Sequence, residues 1–460
     1  MSAAIGKALQ VQAQSDESPV VLTEASGFHR AISDEEMVGI YRSISPTHPC
    51  PCPAPHHHAV WPPTFRVSII RGVANRENQN VDWVPWAGRK YNVRQLYKLV
   101  DTLIKGRPQK YLSLVVVKDN RITFLPLAAR PMTLTMNRMK AIVQGLRNGT
   151  RAGLQFPNTV FLMNVWDEGR CHRDEPANAS ASIGAPATST TSSSSDPAFR
   201  AKAPRCTVPV FSLIKSWDYE TGSSNETDVL LPFFNHVYGN LVFYPWEKKA
   251  QMRPNCTRLW IIELQRSNPE GRRLLDAGIT NNLSKRKDIK LVDFVPIPDH
   301  ARYRYLLSAD GFTASCRLGK LLGTNSVVLK ETTPWIEYYY RSLKPEVHFV
   351  PFNKDNVLEV VKDLEADPGR CQRISAEAQQ FAYTFLSQHS KAMYVKRALV
   401  YYNSLLPDME PFVEQLTWPA EGEAGGGGGP EEGGVGGLTL VGLMEQMRAF
   451  VGARRRRGRM

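Results

Sequence analysis

Eight consecutive residues, Asp310-Gly311-Phe312-Thr313-Ala314-Ser315-Cys316-Arg317, bring together a carboxylate, a glycine, two hydroxyls and an arginine directly after the run YRYLLSA. That mixture suits an anion. Gly311 lets a backbone approach closely, and Thr313 and Ser315 can cap a helix or donate to oxygens. The pattern predicts a helix over TASCRLGKLLG starting near Thr313, whose first N–H groups would point at a phosphate. Arg317 then falls in the first turn, where a cation opposes the helix dipole, an arrangement that a bound diphosphate justifies through paired contacts. An ordinary capped helix with a surface arginine accounts for the same residues. Asp167, at the end of FLMNVWD, is a second candidate: a carboxylate just past a buried strand can accept a hydroxyl proton, or can simply form the turn. Arg253 in KKAQMRPNCT and the run ARYRY (301–305) add cations beside aromatics, although a strand with alternating faces explains RYRYLL equally well. No P-loop, GxGxxG turn, HExxH or GxSxG is present.

These residues need elements to hold them. YLSLVVVKDNRITFL reads as a hairpin around Asp119-Asn120, and NTVFLMNVWDEGR as a short buried strand that stops at charge and glycine. Helical spacing predicts helices over 92–106 and 135–149. TVPVFSLIKSW (207–217) is a further buried-strand candidate. Downstream, RYRYLLSADG, SVVLK and HFVPF read as strands, alternating with helices at TASCRLGKLLG, WIEYYYRSL and NVLEVVKDLEAD, and a long helical stretch covers about 371–405. Strands alternating with helices predict a parallel, doubly wound α/β sheet whose ligand edge lies at the strands' C-terminal ends. The expected layout is a polar, proline-rich arm over 1–63 with a short helix at 34–44 and a globular unit over 64–245 starting with the strand FRVSIIRG. A Ser-rich insertion at 174–203, a second unit over 246–405 and a disordered Gly/Arg-rich tail over 406–460 complete it.

Composition limits the function classes. In 460 residues, a hydrophobic fraction of 42% permits sizeable cores, and the net charge of +13 is concentrated partly in the closing RRRRGRM. That tail is either a solvated run or a contact for an anionic surface. No nucleic-acid partner is expected. Seven cysteines are too few and scattered for a disulfide-dense domain. CPCP followed by HHH reads as an extended linker rather than zinc ligands, so no metal is expected. No stretch is apolar enough to span a membrane, and the first residues lack the core of a signal peptide. Five Asn-X-Ser/Thr sequons (Asn148, Asn178, Asn225, Asn255, Asn282) fit a secretory lumen, although chance supplies a few.

Taken together, PNTVFLMNVWD, VPVFSLIKSWDY and YRYLLSADGFTASCRLGKLLGTNSVVLKETTPWIEYYYRSLKPEVHFVPF resemble glycosyltransferase family 90, which includes the Rumi-type protein O-glucosyltransferases and the capsule-associated transferases. The resemblance runs over roughly 90–400 and rests on ordered motifs: a K/R-Y strand, G-x-x-x-S-x-R, S-V-V-x-K, W-x-E-x-x-Y and L-K-P-x-V-H-x-x-P. It implies a GT-B-type architecture of two facing Rossmann-like domains with a C-terminal helical stretch. It implies metal-independent, inverting transfer of glucose or xylose from UDP-glucose or UDP-xylose to a hydroxyl of a glycoprotein or glycan, with no cofactor. Asp167 corresponds to the general base. Arg253, Gly311, Phe312, Thr313, Ala314, Ser315, Arg317 and Glu337 correspond to donor-binding positions, and Lys215, Asp228 and Pro232 to acceptor-side ones. The family works in the endoplasmic reticulum or Golgi lumen, whereas no signal peptide or retention tail is visible here. Departures are Pro254 where the family has glycine, Met252 where it has an aromatic, and an extra polar stretch before Asp228. They leave open a catalytically inactive relative that binds a nucleotide or glycan.

Overall fold

In the computed structural model the described residues are 20–22, 76–106, 109–172, 206–234, 241–243, 250–252, 259–278, 280, 291–311, 313–418 and 438–457. They form a mixed α/β protein. The expected elements at 34–44 and FRVSIIRG, the paired Cys50 and Cys52, the Ser-rich insertion from 174, Arg253 and Phe312 lie outside the described residues. The chain divides into two compact units. One, called here the Asp167 unit, draws on Asn78–Asn235, Pro334–Tyr338 and Val395–Met460; the other, the Asp310 unit, draws on Met1–Glu77, His236–Thr333 and Tyr339–Tyr394.

The Asp167 unit is built on strands β1 (Leu112–Lys118), β2 (Arg121–Pro126), β3 (Thr159–Asn164), β4 (Phe211–Ser212) and β5 (Val229–Leu230), in the order β2-β1-β3-β4-β5. The hairpin expected around Asp119-Asn120 forms, with β1 antiparallel to β2; β1 also runs antiparallel to β3, where a parallel doubly wound sheet is the expectation, and only β3-β4-β5 are parallel. The two-residue turn Asp119-Asn120, at φ 50° and 59°, returns the chain at once and permits only an antiparallel partner. Helix Val93–Lys105 starts on an Asn92–Gln95 capping box and buries Leu96, Val100 and Leu103. Helix Thr133–Arg151 buries Met139, Ile142 and Leu146, and its Gly145 makes room for Phe234: a Cβ there would come 2.0 Å from that ring.

Two expectations about elements that contribute to this unit are corrected. Over WIEYYYRSL the chain forms not a helix but a two-residue strand, Trp335–Ile336, antiparallel to Lys215–Ser216, followed by a 3-10 turn at Tyr340–Ser342. Tyr338, Tyr339 and Tyr340 are all buried, which a one-faced helix cannot arrange for three neighbours in sequence. The expected disordered tail is also only part of the picture, because helices Met409–Gln415 and Leu440–Arg457 form within 406–460. Leu443 and Met447 are buried, Phe450 packs on Phe412 at 5.3 Å, and Arg454 pairs with Asp408 at 3.0 Å. Apolar residues at positions 443, 447 and 450 give one helical face, which the flanking glycines and arginines mask in composition.

The Asp310 unit carries a four-stranded parallel sheet of β6 (Ala250–Met252), β7 (Tyr303–Ser308), β8 (Val327–Glu331) and β9 (Val350–Phe352), in the order β9-β8-β7-β6. Here the parallel expectation agrees with the structure. Leu307, Val327, Leu329 and Phe352 pack with Ile261, Val361 and Ile374 from helices Leu259–Ser267, Val357–Ala366 and Pro368–Phe385. A β-branched, near-continuously apolar run is what a strand covered on both faces requires. Strand β7 ends at Ser308, so Asp310 lies at the C-terminal edge of the sheet, beside the end of β8.

Candidate functional site

In the Asp310 unit the loop after β7 is pinned from within. The Asp310 carboxylate accepts the Ser315 N–H at 2.8 Å and the Thr333 hydroxyl, while the Asp310 N–H donates to Glu331 Oε2 at 2.9 Å. Because Asp310 takes the Ser315 N–H, that group is lost to a helix, and Thr, Ser and Cys are poor helix formers besides. The helix expected from Thr313 is therefore corrected to one turn, Leu318–Leu321, and Arg317 is its capping residue rather than part of its first turn. A helix-dipole cradle is not what this loop offers. It offers side chains and an open backbone: the hydroxyls of Thr313 and Ser315 make no hydrogen bond among the described residues, and Arg317 is half-buried. Gly311 is exposed, has no positive φ, and has nothing within 4 Å of a notional Cβ, so its lack of a side chain leaves the approach clear.

The base of this loop is charged and buried. Lys330 donates to the Glu331 carbonyl at 3.0 Å and lies over the Tyr340 ring at 5.1 Å, while the Tyr340 hydroxyl donates to Ser315 O at 3.2 Å. Burial pulls the Lys330 ammonium below its usual range, and the nearby Asp310 and Glu331 carboxylates oppose that pull. Tyr340 and Lys330 thus support Ser315 from beneath. Further along, His348 accepts the Lys344 N–H through Nδ1 at 3.0 Å and packs on Phe381. Burial, with Lys344 adding, pushes its imidazole down to about 4, so the ring is neutral at physiological pH.

In the Asp167 unit the loop after β3 presents Asp167 with its carboxylate 29% exposed, joined at Oδ1 by Arg138 Nη1 at 2.8 Å. Arg138, on helix Thr133–Arg151, also donates to Val165 O at 2.5 Å. The loop is anchored at its far end by Asp228, whose carboxylate accepts the N–H groups of Arg170 at 2.8 Å and Cys171 at 2.7 Å and the Ser212 hydroxyl at 2.5 Å. Lys215 is 2% exposed, pairs with Asp82 at 2.5 Å and donates to the Asp228 backbone carbonyl at 2.9 Å. Pro232 is buried just past β5. Lys215 and Asp228 are therefore core members that hold the Asp167 loop, with their charged atoms already engaged. Glu226 is buried against Ser216 N at 2.5 Å; desolvation, helped by Asp228, raises its carboxyl to about 7.

A disulfide joins Cys171 to Cys206, the two residues that flank the Ser-rich insertion. Nothing in the spacing of the seven cysteines singles out this pair, although its position at the two ends of a low-complexity stretch is a usable signal. Asp82 and Arg138 carried none, since each is one of several charges on its helix. The structure thus gathers Gly311, Thr313, Ala314, Ser315 and Arg317 in one loop, and Asp167 with Lys215, Asp228 and Pro232 in the other unit. Glu337, fully buried, belongs to the Pro334–Tyr338 segment of the Asp167 unit rather than to the Gly311 loop. Among the described residues, no three His, Cys, Asp or Glu side chains are grouped to hold a metal ion, and no helix is long and apolar enough to cross a membrane.

Residues 244–417 match the family described as glycosyl transferase family 90. Human protein O-glucosyltransferase 3 is 30% identical over 175 residues, covering 36% of this chain and 34% of that protein. Mouse protein O-glucosyltransferase 1 is 32% identical over 182 residues, 35% of this chain and 44% of its own length. Protein O-glucosyltransferase 2 of Danio rerio is 32% identical over 172 residues, 35% of this chain and 34% of its own length. The chain therefore spans less than half the length of these relatives. The family match takes in Arg253, Gly311 to Arg317 and Glu337, and leaves Asp167, Lys215, Asp228 and Pro232 outside it. Residues 244–417, which carry the pinned loop from Asp310 to Arg317, are thus the part of the chain that is similar to glycosyl transferase family 90.

Proposed function

We propose that this chain is a glycosyltransferase that uses a UDP-sugar, with UDP-glucose or UDP-xylose as the donor, and transfers the sugar with inversion to a hydroxyl of a glycoprotein or glycan. The observation that carries the reading is the loop from Gly311 to Arg317 at the C-terminal edge of a parallel sheet, inside the segment that matches the family. In this reading the acceptor oxygen attacks C1 of the sugar as the bond from C1 to the diphosphate oxygen breaks. Asp167 takes the hydroxyl proton, and UDP leaves with the electron pair. Arg317, with Arg253, the Thr313 and Ser315 hydroxyls and the open backbone at Gly311, offsets the charge that builds on the diphosphate. Phe312, Ala314 and Glu337 complete the donor side. No metal ion is needed in this scheme, since cationic side chains take the role a divalent ion would have.

The reading includes a GT-B-type pair of Rossmann-like domains, with the donor side over 246–405 and the acceptor side over 64–245. It also includes work in an oxidising secretory lumen, a compartment in which the Cys171–Cys206 disulfide persists. The test is a panel of nucleotide sugars scored by thermal shift and UDP release. The expected result is stabilisation by UDP and turnover of UDP-glucose or UDP-xylose. Tight UDP binding with no donor turned over in the presence of any glycoprotein or glycan acceptor would sink the proposal.

A further inference from the structure

Asp167 stands at the rim, with 29% of its side chain exposed, yet its partner is anchored: Arg138 is 12% exposed. Three contacts fix that guanidinium. Nη1 donates to Val165 O at 2.5 Å, the same nitrogen meets Asp167 Oδ1 at 2.8 Å, and the carbon Cζ lies over the Phe233 ring at 5.2 Å. The Val165 carbonyl and the Asp167 carboxylate are two residues apart on the loop, so one side chain from helix Thr133–Arg151 ties both the path of the backbone and the rotamer of the aspartate. The loop is held from other sides as well: Val165 N donates to Tyr111 O at 3.0 Å, and Trp166 N to Asn164 Oδ1 at 3.1 Å. Trp166 in turn stacks on Tyr111 at 4.1 Å between ring centroids.

We propose that Arg138 is the positioning residue for the general base: it sets the direction in which the Asp167 carboxylate presents to an acceptor hydroxyl. The inference rests on the reading of Asp167 as that base. An exposed ion pair between mobile side chains would contribute little to either stability or geometry. This one differs because the cation is sunk against Phe233 and bonded to the backbone of the very loop it orients. A carboxylate on a loop turns freely about χ1 and χ2, and a misplacement of about 1 Å at a reacting group can cost roughly a hundredfold in rate. A fixed donor at one carboxylate oxygen removes that freedom while the rest of the group stays accessible. Proton transfer itself remains with Asp167.

The test compares the full chain with Arg138→Met, Arg138→Lys, Arg138→Ala and Asp167→Asn, measuring sugar transfer to acceptor and UDP-induced thermal shift. Arg138→Met is expected to lose about a hundredfold in kcat, with the KM for donor and the UDP shift close to wild type. Arg138→Lys recovers part of kcat, because its ammonium restores the charge but not the planar group held over Phe233. Millimolar guanidinium ion raises the turnover of Arg138→Ala, which a merely structural role would not allow. If Arg138→Met shows no UDP shift and has not folded, the lysine variant and guanidinium rescue decide. An inactive Asp167→Asn beside an Arg138→Met within about twofold of wild type overturns this inference alone, that being far short of the loss expected from a misplaced base. A fully active Asp167→Asn overturns the base reading and this inference with it.

Discussion

Replacing Lys215 with methionine tests whether the residues around Asp228 are a buried scaffold or a ligand-facing surface. Lys215 and Asp82 are 2% and 0% exposed, their charged atoms 2.5 Å apart, and the same ammonium donates to the Asp228 carbonyl at 2.9 Å. Methionine keeps the stem's volume and removes the charge. Asp82 then remains as a buried carboxylate facing a thioether, with Oδ2 still bound to Leu230 N at 3.2 Å. Breaking a buried pair from one side costs about 3–5 kcal/mol, because the remaining charge cannot be rehydrated. Against a typical total of about 5–15 kcal/mol that is a large share. With a urea slope of about 2–3 kcal/mol per molar, the midpoint of the transition reporting on this unit should fall by roughly 1–2 M. The double variant Asp82→Asn/Lys215→Met, which keeps the acceptor for Leu230 N but has no charge, should recover most of the loss. A single variant within about 0.5 kcal/mol of wild type, the scale of ordinary surface substitutions, would refute the scaffold assignment and return Lys215 to the acceptor side.

Three further outcomes follow from the same unit. Glu226, held at about 7 by burial and by Asp228, binds a proton in the folded state between pH 4.5 and 7 that it has lost when unfolded. Stability should therefore fall as pH rises through that window, by up to roughly 3 kcal/mol, and Glu226→Gln should flatten the dependence in urea melts at pH 5 and pH 8. The Cys171–Cys206 bond closes a separation of 35 residues. Loop-closure entropy then predicts a loss of about 4 kcal/mol on reduction or in Cys171→Ala/Cys206→Ala, read as a lower thermal midpoint. Gly145→Ala, which improves helix propensity by about 1 kcal/mol on an open face, should instead destabilise by about 1–3 kcal/mol, because its Cβ strikes Phe234. A stabilised Gly145→Ala would show that Phe234 moves aside freely.

Much of this arrangement is legible in the sequence, and the rest is hidden for identifiable reasons. The Asp119-Asn120 hairpin, the strands β3, β7, β8 and β9 and the helix Val357–Ala366 follow from local turn chemistry and periodicity. The place of Asp310 past a buried strand follows too. Its internal bonds do not, because the acceptance of Ser315 N–H by the carboxylate competes with a helix only in the folded geometry. WIEYYYRSL misleads for a related reason: its tyrosines all find buried positions, so helical spacing of apolar residues carries no information there. The helix Leu440–Arg457 is obscured by the composition of its neighbours. Arg138 and Asp82 could not be found at all from sequence, since what marks them is the partner each meets across the fold.

The most direct test of the account is the rate of sugar transfer from the donor by wild type and by Asp167→Asn, measured beside UDP affinity for both. The account predicts that the substitution lowers transfer by about 10²–10⁴-fold, the usual contribution of a general base, while UDP affinity stays within error of wild type. Equal transfer rates for the two proteins, or a wild type that binds UDP and moves no sugar, would contradict it.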